Sequence, residues 1–133
     1  MKMCIQFLSL FIFSFMSYSQ QSVEQVVQEN LDFYNKRDID GFMSSFSEEI
    51  KIFSLGETEP NFVGKQEVRK IYTRLFKNSP SLHSNILKRI VIGNKVIDHE
   101  SITGRNGNRD VLELVLIYEV SEEKIYRITV IRK

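Results

Sequence analysis

Residues 111–132, VLELVLIYEVSEEKIYRITVIR, decide the fold. Two runs rich in β-branched and aromatic residues, 111–120 and 125–132, flank the short polar turn Ser121-Glu122-Glu123-Lys124, the pattern of a β-hairpin. Along the first run Leu112, Leu114, Leu116, Tyr118 and Val120 alternate, so one face is uniformly apolar. The opposite face mixes Glu113 and Glu119 with Val111, Val115 and Ile117. A strand with one apolar face fits an antiparallel sheet that packs a core on one side only.

The hairpin continues backward. Gly104-Arg105-Asn106-Gly107-Asn108 carries the Asn-Gly signal of a tight turn and joins 111–120 to an earlier strand at 95–103, with another at 82–92 before it. Upstream of Pro80 the period changes from two to about 3.6. Ser22 and Gln25 form a capping-box pair, and Val23, Val26, Val27, Leu31 and Tyr34 then make a helical stripe that Asn35-Lys36-Arg37 closes. Asp38 caps a short second helix carrying Ile39, Phe42, Met43 and Phe46. Ile50–Leu55 reads as a strand and 56–61 as a polar loop. A third helix starts at Gly64 and runs to about Asn78, with Val68, Ile71, Tyr72, Leu75 and Phe76 on one face, and Ser79-Pro80 stops it. Helices first and a long meander after them give an α+β roll, three helices packed on a curved antiparallel sheet.

Residues 1–19 stand apart. Lys2 precedes the apolar run Met3–Met16, and Ser17-Tyr18-Ser19 supplies small residues before Gln20, the pattern of a cleaved secretory signal. The run is 14 residues long, short of the ~20 that span a bilayer. The expected mature chain, 20–133, is one exported domain, periplasmic or extracellular, with no membrane attachment. The single cysteine, Cys4, leaves with the signal. Removing Lys2 from the 18 basic residues leaves 17 against 17 acidic ones, so no net charge draws the domain to nucleic acid. No phosphate-binding glycine loop or cysteine cluster is present, and no cofactor is expected.

The order of elements, with NFVGKQEVRKIYTRLF (61–76), VIGNKVIDHESITGR (91–105) and IYEVSEEKIYRITVIR (117–132), resembles the SnoaL-like branch of the nuclear transport factor 2-like superfamily. The resemblance covers residues 22–132 and implies a cone-shaped, cystatin-like roll enclosing an apolar pocket. It implies no inherited catalytic set. The base position of isomerase-like members falls near Ser54, their helix-one tyrosine near Asn30 and their late aspartate near Leu116. The Asp-Arg-Asp trio of the epoxide hydrolase-like members falls at Ser101, Thr103 and Val130.

One stretch still carries chemistry: VIDHESIT, 96–103. Successive strand side chains point to opposite faces, so Asp98 and Glu100 share one face and His99 takes the other. They cannot converge on a metal, and no metal site is expected. Val96 and Ile102 side with the acids and Ile97 with the histidine, so parity leaves the inward face open. The resemblance places His99 and Ser101 on the pocket side with Leu114 and Leu116. Asp98 and Glu100 then stand outside, pairing with Glu113, Arg127 or Lys88 across strands. The expected pocket residues are His99, Tyr34, Asn30, Ser54, Tyr72 and Tyr118. The favoured function is binding of a small apolar or amphipathic molecule without catalysis of a known type. An isomerase-, dehydratase- or cyclase-like enzyme using His99 as acid/base is a second reading. A dimerisation or assembly module, joined as a homodimer through the open sheet face, is a third.

Overall fold

The computed structural model describes Ser17 and residues 19–133. Apart from Ser17 and Ser19, the expected signal segment lies outside the described residues. Helix α1 (Val23–Lys36) starts at a reciprocal cap. The Ser22 hydroxyl accepts from the Gln25 amide at 3.1 Å, and the Gln25 side chain accepts from the Ser22 amide at 2.9 Å. Arg37 turns the chain in a left-handed conformation, and Asp38 caps α2 (Ile39–Ser44) by accepting from Gly41 at 3.0 Å. Then follow β1 (Phe46–Ser54), β2 (Phe62–Val63), α3 (Lys65–Lys77), β3 (His83–Ile92), β4 (Lys95–Thr103), β5 (Leu112–Ser121) and β6 (Lys124–Arg132).

The six strands form one sheet in the order β2-β1-β6-β5-β4-β3. Every pair is antiparallel except β1–β6, which is parallel. The long path through the helical segment lets β1 return beside the last strand in that sense. Two boundaries move from the sequence expectation. Phe46 opens β1 instead of closing the second helix, because its fully buried ring belongs to the sheet's inner face. Between the polar loop and α3 the chain also forms β2, which pairs Phe62 with Ile52.

The helices cover one face of the sheet. Val26, Val27, Phe42, Met43, Val68, Leu75 and Phe76 meet Ile50, Ile52, Val96, Leu114, Ile125 and Ile128 in the core. Side chains of this kind contribute about 1.5–3 kcal/mol each when fully buried. Tyr34, Phe42, Tyr72 and Phe76 form an aromatic cluster at the narrow seam of the three helices, with Phe42 and Tyr72 centroids 4.6 Å apart and Tyr34 and Phe76 edge-on at 5.6 Å.

Register settles which face of β4 points inward, and it reverses the sequence expectation. Glu100 lies directly opposite Leu114 and Asp98 opposite Leu116, so the acids share the apolar face of β5. Asp98 is 0 % exposed and Glu100 3 %. His99 faces outward, its Nε2 2.6 Å from Glu113 Oε1, and Ser101 shares its side. The acids are buried because each has partners waiting. Arg89 donates to both Asp98 oxygens, at 2.7 and 2.8 Å. Ser84 donates to Glu100 at 2.8 Å and Tyr118 at 3.2 Å. Arg89 also reaches Gln28 of α1 at 2.7 Å, tying helix to sheet. It can do so because β3 breaks its alternation between Ile86 and Lys88, where Leu87 is an extra residue with no partner on β4. The bulge shifts the phase, so Arg89 faces inward opposite Asp98.

Candidate functional site

The inner face of the sheet reads as a grid. One row runs Glu100, Leu114, Arg132 across β4, β5 and β6; the next runs Asp98, Leu116, Val130, Ser54; a third runs Val96, Tyr118, Ile128, Ile52. The curved sheet does not close completely on the helices. Between them lies a cavity of about 360 Å³. Its walls are Leu31, Tyr34 and Asn30 from α1, Phe42 from α2, and Ile71, Tyr72 and Leu75 from α3, facing Ile52, Leu114, Leu116, Tyr118, Ile128 and Val130. Glu100 lies within this wall. Arg105, Arg132 and Asn61 complete it at the more exposed positions.

Five of the six side chains singled out from sequence line this space, each in a defined setting. Asn30 donates to the Phe42 carbonyl at 3.1 Å and so joins α1 to α2. Ser54 donates to Asn61 at 2.9 Å. Tyr118 bonds Glu100, and Tyr72 stacks into the aromatic cluster. The Tyr34 hydroxyl is buried without a hydrogen-bond partner. His99, the sixth, is not in the wall. The outward phase of β4 that carries it also carries Ser101, whereas Ser54, Leu116 and Val130 do line the cavity. Among the described residues no three His, Cys, Asp or Glu side chains cluster as metal ligands would.

Comparison with known proteins agrees with this architecture. The SnoaL-like domain family matches residues 27–128. The chain belongs to that family. No curated protein matches it. Among solved structures, an uncharacterised cystatin-fold protein from Novosphingobium aromaticivorans is similar, at 20 % identity and a TM-score of 0.75 over 84 % of this chain and 99 % of that one. An NTF2-like protein of unknown function from Cytophaga hutchinsonii aligns over 87 % of this chain and 94 % of its own, at 14 % identity and a TM-score of 0.72. An LEH-like epoxide hydrolase from M. tuberculosis aligns over 84 % and 82 %, at 12 % identity and a TM-score of 0.72. These likenesses establish the fold.

Within this SnoaL-like cavity the electrostatics centre on Glu100. Burial pushes its carboxyl up from 4.5 to about 7, with the nearby Asp98 charge adding to the rise. The Ser84 and Tyr118 hydrogen bonds and the Arg89 charge oppose that rise without cancelling it. The group thus exchanges its proton near neutrality inside a largely apolar enclosure. Burial likewise raises Tyr34, Tyr72 and Tyr118, so all three phenols stay protonated and can donate. The Arg105 charge partly counters that rise at Tyr34 and Tyr72. Glu100, Arg105 and Arg132 are the functional candidates that sequence reasoning passed over. Val96 and Ile102, at period two on either side of Asp98 and Glu100, were the available signal for the acids. For the arginines there was none, since a turn residue and a penultimate residue read as solvated.

Proposed function

We propose that the cavity binds a small, mostly apolar molecule bearing a polar group, with Glu100 as a buried acid of the wall that encloses it. The observation that carries this reading is an acid only 3 % exposed in the wall of an enclosure lined mainly by aliphatic and aromatic side chains. An ionisable group in such a place opposes folding at neutral pH unless its position serves something else. At the ~30 Å³ that a water takes in the liquid, a cavity of about 360 Å³ has room for about a dozen heavy atoms. 1-Octanol should therefore bind saturably by calorimetry and raise the melting temperature. Leu116→Trp, which places an indole in the open space, should abolish that binding. A flat titration of the unmodified protein would sink the reading.

The position of Glu100 on the proton scale favours a second reading, an acid–base enzyme of the same cavity. The role expected of His99 then passes to Glu100, which lines the cavity as His99 does not. Glu100→Gln should remove turnover of any substrate found, and His99→Ala should leave it intact. Loss in His99→Ala alone would reverse the assignment. We also propose export, supported by Lys2, the apolar run Met3–Met16 and the small residues before Gln20. Protein recovered outside the cytoplasm should begin at or near Gln20 by mass spectrometry, and recovery of the uncleaved chain inside the cell would count against it.

A further inference from the structure

The polar groups that line the cavity differ in hydrogen-bond balance. At the inner wall every polar group has a partner: Glu100 holds Ser84 and Tyr118, and Asp98 holds Arg89. Elsewhere in the wall, at Tyr34, Arg105 and Arg132, donors are unspent. The Tyr34 hydroxyl is buried, on a residue 8 % exposed, and has no partner. Unmatched polar atoms of this kind are rare in folded proteins, and each calls for an explanation. The Arg105 guanidinium lies beside the Tyr34 hydroxyl, where its charge and a loose hydrogen-bonding approach pull down the proton affinity of Tyr34, and its charge does the same at Tyr72. The approach falls short of ordinary hydrogen-bond geometry and in any case uses the Tyr34 oxygen as acceptor, leaving the O–H unspent. Arg132 comes to the same cavity from the row of Glu100 and Leu114. Among the described residues neither arginine side chain forms an ion pair or a hydrogen bond. A guanidinium offers donors only, and a phenol whose oxygen faces it still has its own O–H to donate. The complement they lack is an acceptor carrying negative charge.

We propose that the occupant of this cavity is a small anionic amphiphile, a carboxylate whose head is held by Arg105 and the Tyr34 hydroxyl, with Arg132 adding charge, and whose apolar body lies along Leu114 and Leu116. The proposal rests on the reading of the cavity as a binding site and names the class of ligand. Planar, forked guanidinium recognition favours a carboxylate over a neutral alcohol of the same length. The one carboxyl in the wall among the described residues, Glu100, is hydrogen-bonded to Ser84 and Tyr118, and its charge reaches Tyr34 and Tyr72, so it opposes such a ligand least while it keeps its proton.

Octanoate and 1-octanol separate the two claims. Calorimetry is run at about pH 6, where an ordinary carboxylate probe with a pKa of ~4–5 is ionised and Glu100 remains largely protonated. Octanoate should bind on the order of tenfold or more tightly than 1-octanol, since charge-assisted hydrogen bonds are about twice as strong as neutral ones. Arg105→Gln should remove that advantage, weakening octanoate about tenfold more than it changes 1-octanol. Tyr34→Phe should weaken octanoate while raising the melting temperature of the empty protein, because it deletes a buried hydroxyl that nothing satisfies. A merely structural tyrosine would lose stability and leave the ratio of the two probes alone. Equal binding of the two probes, or an advantage that survives in Arg105→Gln, overturns the anionic class while the cavity reading stands. Failure of both probes to bind overturns both.

Discussion

Arg89→Met should cost about 3–5 kcal/mol of folding stability, the loss found when one partner of a buried ion pair is removed. For a domain of this size that corresponds to a fall of roughly 12–20 °C in melting temperature. The size of the effect follows from what is left behind. Asp98 is 0 % exposed, and its two oxygens lose the donors at 2.7 and 2.8 Å that make its charge tolerable. Gln28 loses its partner at 2.7 Å, which loosens α1 on the sheet. The pair itself need not stabilise the fold, because desolvating two charges offsets much of their attraction. The double variant Arg89→Met with Asp98→Leu should accordingly recover most of the loss. Urea denaturation of the two singles and the double measures this. If Arg89→Met loses less than about 1 kcal/mol, or the double is no better than the single, Asp98 is not the buried ion described here.

Glu100→Gln should do the opposite, stabilising the protein by an amount that grows with pH. The folded carboxyl titrates at about 7 against 4.5 for the free group. Between those values the folded chain holds a proton that the unfolded chain has released. Stability contributed by this group is therefore fully present below pH 4.5, declines as pH rises toward 7 and stays lost above it. The whole decline is on the order of 3 kcal/mol. Glutamine carries no such proton, so the difference between variant and parent should be near zero at pH 4 and approach that size at pH 8. Parallel stability curves across this range would show that Glu100 is not desolvated. Taken with a loss of ligand binding or turnover, a stabilised Glu100→Gln would mark an acid kept for function at the expense of stability.

Much of the fold is legible in the sequence because its signals are local. The capping box at Ser22, the stripe Val26–Tyr34, the Ser79-Pro80 stop and the two polar turns among the late strands each act over a few residues. Each places an element within one or two positions of its observed bounds. The parallel pairing of β1 with β6 is a long-range choice without a local mark. The site was half legible. Tyr34, Asn30, Tyr72 and Tyr118 fall on inward phases that periodicity gives, and Ser54 stands where the family resemblance places it. The face of β4 did not, because Val96 and Ile102 favour one phase while His99 drew attention to the other. What decides it is the pairing of Glu100 with Leu114, together with partners on β3 for both acids. Arg89 could not be recognised as one of them, since a period-two count from Ser84 through Ile86 places Lys88 and Ile90 inside and Arg89 out.

That miscount gives Leu87 a consequence for the length of this strand. The side chain is 56 % exposed and adds nothing to the core, so the position matters by existing and not by its chemistry. A chain lacking it would run Ile86 directly into Lys88 with an unbroken ladder and would still set Arg89 against Asp98. It would also lose the local bend that a bulge imposes. Substitution at 87 should thus be nearly silent. Deletion there would tighten the ladder and flatten the curve over the helices, exchanging room in the cavity for regularity in the sheet. Any alignment of this strand with a regular one has to open its gap at this residue, or it will assign the wrong neighbour to the buried acid.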